Sequence, residues 1–259
     1  MIPKFISKPI LIVFALILLL ALALPQNFVI LAPGPTTNLL GSAVTIKNAN
    51  IYPDNRFKSG ALFSTTVYAN NPDSKPLGID VLQAWLDGNL LVVPWNAVYE
   101  KGEQPKVAEA RKKQELVDSQ ANAALAALNF IRAIPTYAKP TWQESDVQIV
   151  LNKVGGGSAG LAFALALIAK STDPELIGNR KIAVTGTISQ DGKVGPIGGL
   201  DQKVIAASRS GAQIFVMPKS NCSSLSKHPT GLKIYAVANL SEAVHALAGA
   251  NNSAFGCSK

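Results

Sequence analysis

The apolar residues of this chain gather first into one block. From Pro9 to Leu24 the sequence PILIVFALILLLALAL carries no charge and no polar side chain, and FVIL continues it to Leu31 beyond Gln26 and Asn27. A helix needs about 20 apolar residues to cross the hydrocarbon core of a bilayer, so residues 9–31 predict a membrane anchor with the two amides near an interface. Lys4 and Lys8 stand before the block, and no basic residue follows until Lys47. That asymmetry predicts a single-pass protein with a cytoplasmic N-terminus, residues 1–31 forming tail and anchor, and an extracytoplasmic C-terminal body. A cleaved signal peptide ending at Ala23 is the competing reading. The length of the block and the nearness of Pro25 to such a cut favour an uncleaved anchor.

Beyond the block the pattern divides near Val147. Residues 32–146 read as a lead region. APGPTTNLLG is turn-rich, while SAVTIKNANIY and GALFSTTVYAN alternate like strands on either side of PDNRFKSG. GIDVLQAWLDGN sets Val81, Leu82, Trp85 and Leu86 at helical spacing, and EQPKVAEARKKQELVDSQANAALAALNFI predicts a long helix ending before Pro135. AIPTYAKPTWQESD is then a proline-containing connection. In residues 147–259 strands and helices alternate. VQIVLNKV and RKIAVTGTIS read as strands, with a helix from Ser158 to Lys170 between them that is apolar on nearly every face and therefore buried. QDGKVG is a hairpin-like turn, LDQKVIAASRSG a helix ending at Gly211, and AQIFVMP and LKIYAVA strands. SEAVHALAG closes the chain as a helix with Ser241 as its N-cap. The expected fold class is α/β (α+β), preceded by a transmembrane helix and a mixed strand and helix lead.

With 259 residues, 48% of them hydrophobic, the chain can bury a substantial core. Its net charge of +8 is spread without a lysine or arginine run, which suits an anionic envelope surface better than a nucleic acid. No aromatic-and-basic pattern and no zinc-finger spacing occurs, so nucleic acid is not expected as a partner. The only two cysteines, Cys222 and Cys257, lie in polar, loop-like sequence. Outside the cytoplasm such a pair oxidises, and a disulfide between them is expected. Two cysteines and two histidines supply too few ligands for a metal site, and no cofactor is expected. His228 and His245 read as surface residues.

The sequence VGGGSAGLAFALALIAK, Val154–Lys170, places three glycines and a serine directly before the apolar helix. A phosphate loop needs GxxxxGK followed by Ser or Thr, which neither GGGSAGLA nor GTISQDGKV supplies. Gly155, Gly157 and Gly160 satisfy GxGxxG only loosely. Gly156–Gly160 fits the GxSxG of a hydrolase elbow, and His245 follows Glu242, but the chain lacks the length and strand count of that fold. Two readings stay open: the glycines only let a strand turn into a helix, or they bring backbone N–H groups and Ser158 against a substrate.

A second motif narrows the choice. TGTISQDGKVGPIGGLDQKVIAA, Thr185–Ala207, together with GGGSAG, resembles the proteolytic domain of the Lon peptidases across residues 147–249. In that family a serine in a GPSAG motif pairs with a lysine that follows PIGG in a GGLxxK helix start. The resemblance implies Ser158 as nucleophile, Lys203 as its base and Thr185 as a hydroxyl beside the lysine amine. Gly157 stands where the family usually has proline. The lead, with WLDGNLLVVPWNAVY and DSQANAALAAL, looks like that of bacterial membrane-anchored, Lon-like peptidases, which usually carry a PDZ domain. The stretch between AALNFI and VQIVLNKV is too short to hold one. The AAA+ module of the soluble Lon enzymes is not expected either, in line with the missing phosphate-loop pattern.

Elementary chemistry leads the same way. Serine is a weak nucleophile until a base removes its proton, and lysine serves as that base when burial disfavours its ammonium. Spacing alone leaves Lys193 and Lys203 both open. Lys193 follows Asp191-Gly192 in a predicted turn, whereas Lys203 is followed by the apolar VIAA, so exposure and the resemblance favour Lys203. Backbone around Ser158, at Gly156, Gly157 and Ala159, would hold the developing oxyanion, aided by the positive end of the helix dipole. The expectation is a membrane-anchored, ATP-independent serine endopeptidase acting on envelope or membrane-associated proteins. The resemblance adds a homo-oligomer, in the manner of a hexamer-like ring. The alternative is a catalytically inactive Lon-like fold that binds peptides or acts as a scaffold in the envelope.

Overall fold

The computed structural model describes residues 8–47, 49, 57, 59–151, 154–172, 174–249 and 255–257. Up to Ala133 the chain runs through helix α1 (Lys8–Ala23), strands β1 (Phe28–Asn38), β2 (Val44–Ile46) and β3 (Ala61–Ala69), helix α2 (Gly78–Leu86), strand β4 (Leu91–Pro94) and helix α3 (Pro105–Ala133). It continues through β5 (Val147–Ile149), α4 (Gly160–Ser171), β6 (Lys181–Val184), β7 (Thr187–Ile188), β8 (Val194–Gly195), α5 (Leu200–Arg209), β9 (Ile214–Pro218), β10 (Lys233–Val237) and α6 (Leu240–Leu247). The chain divides into two compact units, Met1–Ala32 with Tyr68–Ala108, and Pro33–Val67 with Glu109–Lys259.

In the first unit the apolar block becomes α1, which buries none of its side chains. It stops short of the predicted Leu31. Pro25 has no N–H to continue a helix and forms an isolated bridge to Leu77, and the chain is extended from Phe28, where β1 pairs antiparallel with β4 from Phe28↔Pro94 to Leu31↔Leu91. At about 1.5 Å per residue, the 16 residues of α1 rise roughly 24 Å. None of the described helices is long and apolar enough to cross a membrane. Helix α2 starts hard against the end of α1: a Cβ on Gly78 would collide with the backbone of Ala21 and Leu22, and Gly78 N donates to Leu24 O at 3.1 Å. Val81 and Ala84 of α2 are buried, while Trp85 and Leu86 are 70% and 80% exposed. Val29, Leu31, Tyr99 and Ala108 form a small core.

In the second unit the sheet runs β10–β9–β6–β3–β1, and the pairs β10/β9, β9/β6 and β6/β3 are parallel. A parallel sheet is covered on both faces, so its strands read as unbroken apolar runs; β9 is buried along its whole length. Successive side chains of a strand point to opposite faces. Accordingly Ile182 and Val184 of β6 join the main core with α4 and α6, while Ala183 between them packs with Leu200, Val204 and Ala207 of α5. Helix α4 is buried from Gly160 through Lys170. Lys170 fits there by donating to the carbonyls of Gly41 and Val44, at 2.9 and 2.7 Å.

Four local expectations are corrected. The turn-rich APGPTTNLLG lies largely inside β1: proline φ is compatible with extended chain, and the carbonyls still accept, as Pro35 O does from Thr66 Oγ1 at 2.7 Å. VQIVLNKV pairs only over Val147–Ile149, antiparallel to β2. RKIAVTGTIS is broken at Thr185-Gly186, after which β7 forms a hairpin with β8 around the predicted turn. The N-cap of α6 is Asn239 rather than Ser241. Asn239 Oδ1 accepts from Glu242 N at 2.9 Å and Glu242 Oε2 accepts from Ala238 N at 2.7 Å, so the acid three positions on selects the cap.

Candidate active site

Ser158 lies in the turn that leads into α4, two residues before the helix begins. Gly156 has a φ of 90°, a left-handed conformation that a side chain would strain. This turn is fastened on two sides. On one side is α3, where Gly156 N donates to Lys112 O at 2.8 Å and Ser119 Oγ donates to Gly157 O at 2.9 Å. On the other is the end of β6, where Ser158 O accepts from Gly186 N at 2.8 Å and from Thr185 Oγ1 at 3.2 Å, and Leu161 N donates back to Gly186 O at 3.0 Å. The break in the predicted strand at Thr185-Gly186 therefore has a purpose: it turns two backbone groups and a hydroxyl from the sheet toward the serine turn.

Lys203 lies in the first turn of α5, its N–H donating to Gly199 O at 3.1 Å. Its side chain reaches Ser158 Oγ at 2.8 Å and Thr185 Oγ1 at 3.3 Å. Lys203 is 3% exposed and Thr185 0%. Burial pushes the lysine pKa from 10.5 down to about 7, because a charged amine loses its hydration there. The start of a helix also carries the positive end of its dipole, which disfavours a cation further. A neutral amine at hydrogen-bond distance from a serine hydroxyl is equipped to take its proton.

Lys193, the competing lysine, has a side chain 81% exposed and pairs with Asp191 at 3.3 Å. His228 and His245 are exposed. Among the described residues, no group of three or more His, Cys, Asp and Glu side chains could hold a metal ion. Cys222, in the helical turn Lys219–Ser224, is disulfide-bonded to Cys257, with Cα atoms 5.5 Å apart. Of the backbone groups expected to receive an oxyanion, Gly156 N–H is engaged by Lys112. The N–H groups of Ser158 and Ala159 donate to no group among the described residues. The contribution of α3 was not read from sequence. Its one signal is the small-residue run after Ser119, where Ala123 and Ala124 are buried and let the helix lie close.

A serine whose hydroxyl meets a buried, deprotonable lysine, ahead of a buried helix and beside backbone N–H groups without a partner among the described residues, is an arrangement able to activate a serine for acyl transfer. Residues 80–248 match the Lon protease (S16) C-terminal proteolytic domain, and the chain belongs to that family. The match takes in α3 as well as everything from β5 to α6. The Lon protease of Trichlorobacter lovleyi is 34% identical over 126 residues, 46% of this chain and 15% of the relative. That of Buchnera aphidicola subsp. Schizaphis graminum is 29% identical over 185 residues, 68% of this chain and 23% of the relative. Lon protease 1 of Borreliella burgdorferi is 30% identical over 141 residues, 51% of this chain and 17% of the relative. The chain thus spans less than a quarter of the length of these curated relatives.

Proposed function

We propose that this protein is a membrane-anchored endopeptidase that cleaves proteins of the cell envelope without ATP, using Ser158 and Lys203. The contact of 2.8 Å between the buried Lys203 Nζ and Ser158 Oγ carries the reading. Neutral Lys203 accepts the Ser158 proton as Oγ attacks the peptide carbonyl. The oxyanion gathers backbone N–H donors at the turn. Lys203 then returns its proton to the leaving amine; in the second half Lys203 takes a proton from water as that water attacks the acyl carbonyl, and gives it to Ser158 Oγ as the acyl group leaves as the carboxylic acid. Thr185 keeps the amine aimed at Oγ.

Membrane attachment draws support from α1, whose apolar side chains, Phe14 and Leu19 among them, lie exposed at 66% and 63%. Trp85 and Leu86 of α2 add a second exposed apolar group in the same unit. An apolar lipid environment removes such surface from water. The lysines before the block favour a body outside the cytoplasm, a compartment that suits the Cys222–Cys257 disulfide. Independence from ATP is part of the same reading and is checked by cleavage assays with and without added nucleotide. A homo-oligomeric ring belongs to the same reading and is read by light scattering of the detergent-solubilised protein.

The test uses the full chain purified from membranes and a library of unstructured peptides. Ser158→Ala and Lys203→Ala should each abolish cleavage while circular dichroism stays unchanged, and their effects should not add, because the pair acts as a unit. Cleavage by Ser158→Ala would shift the reading to a peptide-binding scaffold. A C-terminal alkaline phosphatase fusion should be active, and the protein should resist alkaline extraction from membranes; a dark fusion refutes the topology without touching the chemistry.

A further inference from the structure

We infer that Ser119 is a positioning residue for this active site: its hydroxyl fixes the Gly157–Ser158 peptide so that Ser158 N–H faces the developing oxyanion. The inference rests on the peptidase reading above and adds a residue outside both motifs that carry it. Ser119 is 5% exposed and donates through Oγ to Gly157 O at 2.9 Å. A trans peptide directs its N–H opposite to its C=O, and the described chain has no cis peptide bond. Holding Gly157 O toward α3 therefore turns Ser158 N–H away from α3. The next peptide is fixed in the same manner, since Ser158 O is held by Gly186 N and Thr185 Oγ1, at 2.8 and 3.2 Å. Two successive N–H groups, those of Ser158 and Ala159, are left without a partner among the described residues, beside the nucleophile oxygen.

The two carbonyls are not equally secure. Ser158 O has two donors at the end of β6. Gly157 O has Ser119 and, at 3.3 Å, the more distant Gly160 N. Gly157 has no side chain to limit its ψ, so without Ser119 the peptide is free to rotate. The rotated peptide would set a carbonyl oxygen where the negative charge forms. The neighbouring chain makes room for the serine: a Cβ on Gly160 would lie 2.8 Å from Ser119 Oγ. Gly157 itself has space, as an added Cβ would meet nothing nearer than Glu115 O and Thr187 Cγ2, both at 3.7 Å.

The experiment is steady-state cleavage of one fluorogenic peptide by the full chain, with rates referred to the folded fraction seen by circular dichroism. Ser119→Ala should lower kcat about ten- to a hundredfold, short of the loss of an oxyanion donor itself, with KM within about twofold. Affinity for a peptide aldehyde, which forms a tetrahedral adduct, should fall by the same factor as kcat, while that for the product peptide stays unchanged. The acid limb of the pH profile should not move, because Lys203 is untouched. Ser119→Thr keeps the hydroxyl and should recover most of kcat. Adding Gly157→Ala to Ser119→Ala should recover part of it, by restricting ψ where Ser119 no longer does. Parental kcat in Ser119→Ala, a loss confined to KM, or no recovery in both rescue variants overturns the inference. Activity in a parallel Ser158→Ala preparation would instead overturn the peptidase reading.

Discussion

Lys203 Nζ meets Ser158 Oγ at 2.8 Å across 45 positions of sequence, and the lysine is 3% exposed where it does so. Burial lowers the pKa of that lysine to about 7. In the proposed mechanism the neutral amine is the working form, so kcat/KM should fall about tenfold per unit as pH drops below that value, and level off above it. Lys203→Arg should be inactive throughout, since guanidinium keeps its proton. A pH profile flat from 5 to about 8 would contradict this assignment.

The same shift acts on stability. Between about 7 and the ordinary 10.5, the unfolded chain binds a proton at Lys203 that the folded chain does not, so stability rises with pH across that window. Below it the folded state bears the whole penalty. Lys203→Met should thus raise the Tm at pH 6, by a stabilisation of up to a few kcal/mol at ~1.4 kcal/mol per unit. The gain should fade as pH approaches 10. Equal gains in chemical denaturation at pH 6 and pH 10 would rule out the linkage.

Thr185 is fully buried and joins both halves of the dyad, accepting from Lys203 and donating to Ser158 O. Thr185→Val keeps the shape and removes both bonds. Its kcat should drop about tenfold or more, and its acid limb should move to lower pH, because an acceptor for the ammonium is lost. Thr185→Ser should sit close to the parent. An unmoved limb in Thr185→Val would separate Thr185 from the lysine.

Lys193→Ala should retain parental activity. Its ammonium is solvated and pairs with Asp191, whose carboxyl is held below its ordinary pKa first by the Ser189 hydroxyl and then by the Lys193 backbone. Loss of activity equal to that of Lys203→Ala would mean the wrong lysine has been assigned.

The Cys222–Cys257 disulfide closes a separation of 35 residues. Chain entropy assigns such a loop about 3–4 kcal/mol. Thiol titration of the unfolded, unreduced protein should find no free thiol, and reduction should lower the Tm without abolishing cleavage, as neither cysteine touches the dyad. Two titratable thiols in protein from its native compartment would contradict the bond.

Long apolar patterns were legible in the sequence: α3, α4, β9 and β10 all stand near where periodicity and composition put them. What escaped was structure decided by distant partners. Pro33, Gly34 and Pro35 spell a turn locally, yet they run in a strand whose carbonyls find donors such as Thr66. RKIAVTGTIS reads as one strand, because nothing local reveals that Thr185 and Gly186 leave the sheet to meet Ser158. Ser158 and Lys203 were found through a resemblance, since two residues in separate turns carry no periodicity. Ser119 stands in DSQANAALAAL, where nothing marks it out from its neighbours as a partner of the serine turn. It is one polar position in a long helix, and its partner Gly157 lies 38 residues on.

No face of α4 reaches water between Gly160 and Lys170, and the nucleophile turn is the immediate extension of that helix. Water and bulk solvent protons can reach the amides of α4 only when the surrounding unit opens, so the helix, unlike the turn before it, belongs with the slowest segments to exchange. On the proposed activity, heat should extinguish cleavage at the temperature at which the second unit melts, and each molecule that opens becomes a substrate for those that have not, so thermal loss should accelerate with concentration.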